Sequence, residues 1–393
     1  MNSVLIVVLL WLVPNIWASV RVARSGMAHE KKALLLLGVW FIPILGVTMA
    51  LMSIPEFESV PASGPLPRAG EARERIAVAP GQIEYTGCGS FPVLEHLMNG
   101  NGVPILDWEA LDRWAGGNID AIERGRRAWL LHFRDSISQA AHLYESGDAW
   151  VLSTFQPATA RAAAAYVSAT RLRIEKLLDG LAEFPAGARS ILVVLNSLDD
   201  YYRYVSNYHP DDGEFAFSGG MYINHGCPHF VTVHGKLSEL EPVIAHEMTH
   251  SALAHLELPL WLDEGIAVTT EHRISTSNRH AHDDVEMIGR HLEFWNAERM
   301  QEFWTGTSFS RTDDGNALSY DLARHIVGLL GREWPSFIAF TANASRDDGG
   351  AAAALGLLKL DLGDIAAAAL NVHRQPGWSP DPAVWKQAVG RTA

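Results

Sequence analysis

Residues 244–267 read IAHEMTHSALAHLELPLWLDEGIA, and this stretch limits the folds open to the chain more than any other. Val243, Ile244 and Ala245 precede His246 and Glu247, and Ala252 and Leu253 follow His250, so the segment reads as a mostly buried helix. A buried helix excludes imidazole and carboxylate groups unless each is paired or bound to a metal. The chain must therefore fold a further polar element against this helix. A pair of satisfied core histidines and a metal site are the two ways to meet that demand.

The spacing speaks for the metal. His246 and His250 are four residues apart and share one helix face. Two imidazole nitrogens so placed reach a single Zn²⁺ at about 2.0–2.1 Å. Glu247 leans toward the same side, where a carboxylate can take the proton of a water that attacks a carbonyl. A catalytic zinc needs a third protein ligand and an open fourth position. Glu264, fourteen residues after His250, supplies one if a helix beginning near Leu260 folds back across the turn at Pro259. Gly265 would let the two helices approach closely. Asp263 is the rival ligand, about 100° away around that helix. His255, His272, His280 and His282 are further candidates. His255, five residues beyond His250, lies off the metal face, and the polar stretch around His280 and His282 reads as a solvated loop.

The flanks carry a coarse fold. ILVVL (191–195) suits a buried strand, DDYYRYVSNY a helix, and GGMYI (219–223) and HFVTVHG (229–235) two strands around a turn with Cys227 and Pro228. Ser238 stands three residues before Glu241, a capping-box spacing that starts the helix of the HEMTH stretch. From about 105 to 184 apolar residues recur three and four apart, which predicts a helical subdomain, and LSYDLARHIVGLLG and AALGLLKLDLGDIAAAAL predict further helices. Two cysteines, Cys88 and Cys227, exclude a cysteine-type zinc site and leave room for a single disulfide.

The N-terminus predicts a membrane hairpin. Residues 3–20 and 33–54 are uncharged and long enough to span, and the basic loop between them places both ends outside the cytoplasm. Residues 55–75, rich in Pro, Gly, Ser and Glu, read as a linker. The net charge of −14, without a basic patch, argues against nucleic acid as a partner.

HEMTH followed by PLWLDEGIA resembles the gluzincin clan of zinc metallopeptidases, in particular bacterial peptidase MA-like domains. The likeness covers about residues 190–370. It implies His246, His250 and Glu264 as zinc ligands, Glu247 as general base, and Tyr320 as a donor to the oxyanion of the tetrahedral intermediate. The gap from His250 to Glu264 is shorter than in thermolysin-like or classical aminopeptidase members, and no G-A-M-E-N-type segment is present. The edge formed by GGMYI is a place where an extended substrate could pair. The expected fold is α+β: two N-terminal transmembrane helices in a hairpin over 1–54, a linker over 55–75, a helical subdomain over 76–188, a mainly helical zincin-like domain with a small β-sheet over 189–372, and a tail over 373–393. The expected protein is a zinc endopeptidase anchored in the inner membrane, its catalytic domain extracytoplasmic, acting on protein or peptide. The competing expectation is a zinc-binding interaction module without turnover.

Overall fold

The computed structural model describes residues 82–85, 88–92, 108–138, 140–184, 188–206, 208, 219–275 and 283–389. A short antiparallel hairpin of β1 (Gln82–Tyr85) and β2 (Gly89–Pro92) precedes helices α1 (Trp108–Ala115) and α2 (Ile119–Ile137). The main sheet has five strands: β3 (His142–Ser146), β4 (Ala149–Ser153), β5 (Ser190–Leu195), β6 (Gly220–Ile223) and β7 (His229–Val233). Helix α3 (Pro157–Leu177) lies between β4 and β5 in sequence, and α4 (Leu198–Val205) follows β5. After β7 the chain is helical: α5 (Leu237–Leu253), α6 (Leu260–Ile274), α7 (Asp283–Phe294), α8 (Ala297–Thr305), α9 (Gly315–Leu330), α10 (Trp334–Thr341), α11 (Leu362–Ala369) and α12 (Pro382–Val389), besides short irregular turns.

The strand order is β3-β4-β5-β7-β6. The two inner pairings, β4 with β5 and β5 with β7, are parallel, and the outer pairs β3–β4 and β6–β7 are antiparallel. Alternation along the strands sorts side chains between two cores. Ala149, Val151, Leu192, Val194 and Phe230 face the larger core, with α3, α5, α6, α8 and α9. Trp150, Leu152, Ile191, Val193, Leu195 and Val231 face a second core, built with Trp108, Trp129, Phe133, Tyr201 and Tyr204 from α1, α2 and α4. β5, buried at every position, shows why ILVVL lacks polar alternation: both its faces are covered.

Two expectations need correcting. The segment around 105–184 is not only helical, since HLYES and AWVLS fold as the β3–β4 hairpin around a turn in which Gly147 has φ 49°. These five-residue strands are too short to outweigh the helical spacing on either side of them. The second correction concerns the membrane. No helix among the described residues is long and apolar enough to cross a bilayer, and these residues fold as mixed helix and sheet in place of the expected α+β fold with two membrane helices. The expected spans over 3–20 and 33–54 and the linker over 55–75 lie outside the described residues. Among the described residues, no membrane helix stands behind the expected inner-membrane anchor and extracytoplasmic catalytic domain.

Cys88 and Cys227 are both buried in the second core and are not joined in a disulfide. Arg127 donates from Nη1 to the Cys88 sulfur at 3.2 Å, and burial pushes the Cys227 thiol up to about 12.

Candidate metal centre

Helix α5 is buried nearly all round, with Leu240, Ile244, Ala245, Met248, Thr249, Ala252 and Leu253 covered. Its first turn is tied by Glu239, which accepts from the Lys236 main-chain N–H at 3.3 Å, so the cap lies two residues before the predicted Ser238–Glu241 box. The Tyr166 hydroxyl of α3 donates to the Glu241 carbonyl at 3.0 Å and pins the helix laterally. A 3₁₀ turn at Ala254–Leu256 and a left-handed Glu257 (φ 49°) end the run, and α6 starts at Leu260 behind Pro259. This reversal carries α6 back along α5, as the proline predicted. Trp261, fully buried, donates its indole N–H to the Gly349 carbonyl at 2.9 Å and fixes the start of α6.

The reversal brings together the residues singled out by spacing. Ligand atoms of His246, His250 and Glu264 all lie within 4.8 Å of one another. His246 Nε2 stands 3.1 Å and His250 Nε2 3.5 Å from the same oxygen, Glu264 Oε2. Tetrahedral coordination at about 2.1 Å separates neighbouring donors by about 3.4 Å, so the two imidazole-to-carboxylate separations match a zinc site and the donor set suits one in chemistry. The Nδ1 atoms face away from this point toward two other carboxylates. His246 Nδ1 is 3.3 Å from Glu271 Oε2, and His250 Nδ1 is 3.1 Å from Asp263 Oδ2. A carboxylate on Nδ1 holds the proton there and turns the bare Nε2 toward the metal position. Asp263, the rival ligand, therefore stands behind His250, and Glu264 stands where a third ligand could reach the same ion.

Charge within this group is strongly coupled. Burial opposes charging of His246, yet hydrogen bonds to Glu264 and Glu271 raise its pKa to about 9. Burial likewise opposes charging of His250, and Asp263 and Glu264 hold it well above the usual histidine range. Glu264 is held well below the usual carboxylate range: the two histidines outweigh its burial. The site thus holds positive charge tightly, as protons or as a cation.

Glu247 is buried at 9 % exposure, and desolvation raises its pKa, countered by the histidines and by a hydrogen bond from the Tyr222 main chain. Tyr320, half-buried on α9, has its ring 6.4 Å from that of His246 and edge-on to Phe309 at 5.1 Å. Burial first, then the charges of Glu264 and Glu247, raise its pKa, so the hydroxyl stays protonated. α9 reaches this position because Gly265 lets it come close: a Cβ there would lie 2.7 Å from the Ala323 carbonyl.

The other histidines stay apart. His255 sits 3.7 Å from Glu183 on the surface, and His272 is exposed. His280 and His282 lie outside the described residues. Glu271 escaped notice in the sequence, although its position seven residues after Glu264, two turns along the same helix face, could have found it. No family model matches the chain, and no curated protein matches it.

Proposed function

We propose that this protein is a zinc-dependent peptidase. The observation that carries the reading is the convergence of His246 Nε2, His250 Nε2 and Glu264 Oε2 on one point, with a carboxylate behind each imidazole. When bound, zinc would polarise a carbonyl and lower the pKa of water at the open position. Glu247, beside the ligands but not among them, takes the proton of the attacking water and passes it to the leaving amine. A purely structural zinc site has no need of such a buried base. The Tyr320 hydroxyl donates to the oxygen that gains charge as the carbonyl becomes tetrahedral. β6 ends the sheet and packs against α5. Cleavage within an extended chain, rather than removal of single terminal residues, is the mode this reading expects.

The test is metal analysis of the full-length protein together with cleavage of a peptide library, with and without chelator. One zinc per chain and chelator-sensitive cleavage are expected. Glu247→Gln should keep its zinc and lose about 10²–10⁴-fold in kcat. Stoichiometric zinc without cleavage of any peptide would instead identify a non-catalytic zinc module, and full activity in Glu247→Gln would remove the assigned base.

A further inference from the structure

We infer that Phe309, on the 3₁₀ turn Thr307–Ser310, is the positioning residue for Tyr320: its ring fixes the tyrosine ring and so the place of the tyrosine hydroxyl. This deepens the peptidase reading and rests on it.

The Tyr320 hydroxyl has no hydrogen-bond partner among the described residues. A tyrosine ring turns about two side-chain bonds, and a hydroxyl without a partner goes wherever its ring goes. What aims this hydroxyl is therefore ring packing. Phe309 meets the Tyr320 ring at 5.1 Å between centroids and at 86°, an edge-to-face contact of the favoured kind. His246 stands farther off, at 6.4 Å and 58°, and its own ring is already committed to Glu264 and Glu271.

A positioning group must itself be held. Phe309 is 6 % exposed and stacks on Phe303 of α8 at 5.8 Å. The side chain of Asn316, in the first turn of α9, donates to the Phe309 carbonyl. One residue back, the Ser308 and Ser319 hydroxyls are hydrogen-bonded at 2.7 Å, and both serines are wholly buried. Ser319 immediately precedes Tyr320, and its hydroxyl also reaches the Gly315 carbonyl at 2.6 Å. Taken singly, these bonds are the ordinary satisfaction of buried polar groups. Taken together, they join the turn and the start of α9 into one frame, with Phe309 and Tyr320 both mounted on it. The place of α9 on α6 is set in turn by the Gly265–Ala323 contact, so the ring is located relative to Glu264 as well. Misplacement of a reacting group by about 1 Å can cost about 10²-fold in rate.

Two arms test this on the full-length protein. The first needs no turnover and uses tyrosine labelled with ¹³C in the ring, the Tyr320 signals being identified by their loss in Tyr320→Phe. Phe309→Leu keeps apolar bulk but removes the flat ring. It should raise the mobility of the Tyr320 ring, read from relaxation of its ring carbons, and leave Tyr201 and Tyr204 of the second core as they were. The second arm is kinetic. Tyr320→Phe should lower kcat by about 10²–10³-fold, the loss of one donor to the oxyanion. Phe309→Leu should lower kcat by about tenfold, with KM moved less than about twofold and zinc content unchanged. In the Tyr320→Phe background the same change should cost less than about twofold more, since no hydroxyl is left to aim. Unchanged relaxation of Tyr320 in Phe309→Leu overturns the inference whatever the cleavage assay shows. A kcat loss from Phe309→Leu that is as large in the Tyr320→Phe background also overturns it. If Phe309→Leu does not fold, Asn316→Ala at a half-buried helix position frees the Phe309 carbonyl instead, and unchanged Tyr320 relaxation there overturns the inference. Wild-type protein that holds zinc and cuts nothing removes the peptidase reading separately, and the relaxation arm still decides whether Phe309 holds the ring.

Discussion

Histidines enclosed by the fold stand on both faces of the sheet, and they are built to opposite ends, His229 fully buried and His246 and His250 half-buried. On the side of the second core, His229 donates from Nδ1 to the Cys227 carbonyl at 2.6 Å and accepts at Nε2 from the Tyr204 hydroxyl at 2.7 Å. Tyr204 in turn meets the Tyr208 hydroxyl at 3.1 Å. One nitrogen gives a proton, the other takes one, and desolvation lowers the pKa to about 4. His291, between α7 and α9, follows the same rule: the Trp295 indole donates to Nδ1 at 2.8 Å, so Nε2–H points to Asp321 at 2.9 Å. His246 and His250 break the rule, because all four of their nitrogens face carboxylates. A neutral imidazole cannot satisfy two acceptors at once, since only one nitrogen bears hydrogen. What sets His246 and His250 apart from His229 and His291 is the chemistry of their partners, a carboxylate at every nitrogen.

That contrast can be broken most directly by removing one histidine of each kind. His250→Ala should weaken zinc binding by more than about 100-fold, since losing even the partner of a ligand costs about 10–100-fold. His229→Ala should leave zinc binding unchanged and lower stability by about 1–3 kcal/mol, the cost of stripping the Cys227 carbonyl of its buried donor and the Tyr204 hydroxyl of one of its two partners. Zinc titration and denaturant unfolding of both variants would show it, and the comparison fails if the two lose zinc alike.

The carboxylates behind the ligands give the next largest effect. Glu271→Gln and Asp263→Asn keep shape but no longer hold the Nδ1 proton as an ion would, and each should reduce zinc affinity by about 10–100-fold. Competition with a chromophoric chelator would measure it. An equal effect from the Asp321→Asn change, behind His291, would remove the distinction drawn here.

The smallest effect is also the one with a sign to check. His229 has a folded pKa near 4, below its unfolded value of about 6.5. The unfolded chain therefore takes up a proton that the native chain refuses, and stability falls as pH drops from about 6.5 through 4. In the metal-free protein His246 runs the other way, with a folded pKa near 9. Its stabilisation is complete below about 6.5 and is lost as pH rises through 9. Thermal unfolding of the metal-free protein against pH should show both limbs. His229→Gln should flatten the acid limb alone.

Much of the site was legible in the sequence because its geometry is local. The i, i+4 spacing of His246 and His250 and the proline turn before Glu264 need only helix arithmetic, and the strands at 191, 219 and 229 stand close to their expected limits. What stayed hidden depends on neighbours distant in the chain. Asp263 could be recognised as the partner of His250 only once α6 had a rotation relative to α5. Strands β3 and β4 join the sheet through parallel pairing with β5, some forty residues later, which no local period records. Tyr320 was drawn from a resemblance, and its place beside His246 comes from the packing of α9 on α6.

That packing has a further consequence. Where α6 crosses α9, the contact is main chain against main chain, Gly265 on the carbonyl of Ala323, one residue from Glu264 and one turn from Tyr320. A gap closed by side chains can breathe as rotamers exchange, and its width is an average. A gap closed by backbone has a single width. The span between Glu264 and Tyr320 therefore works like a fixed gauge block in a machine: stiff on heating and under pressure, and without an intermediate setting if a methyl group is forced into it.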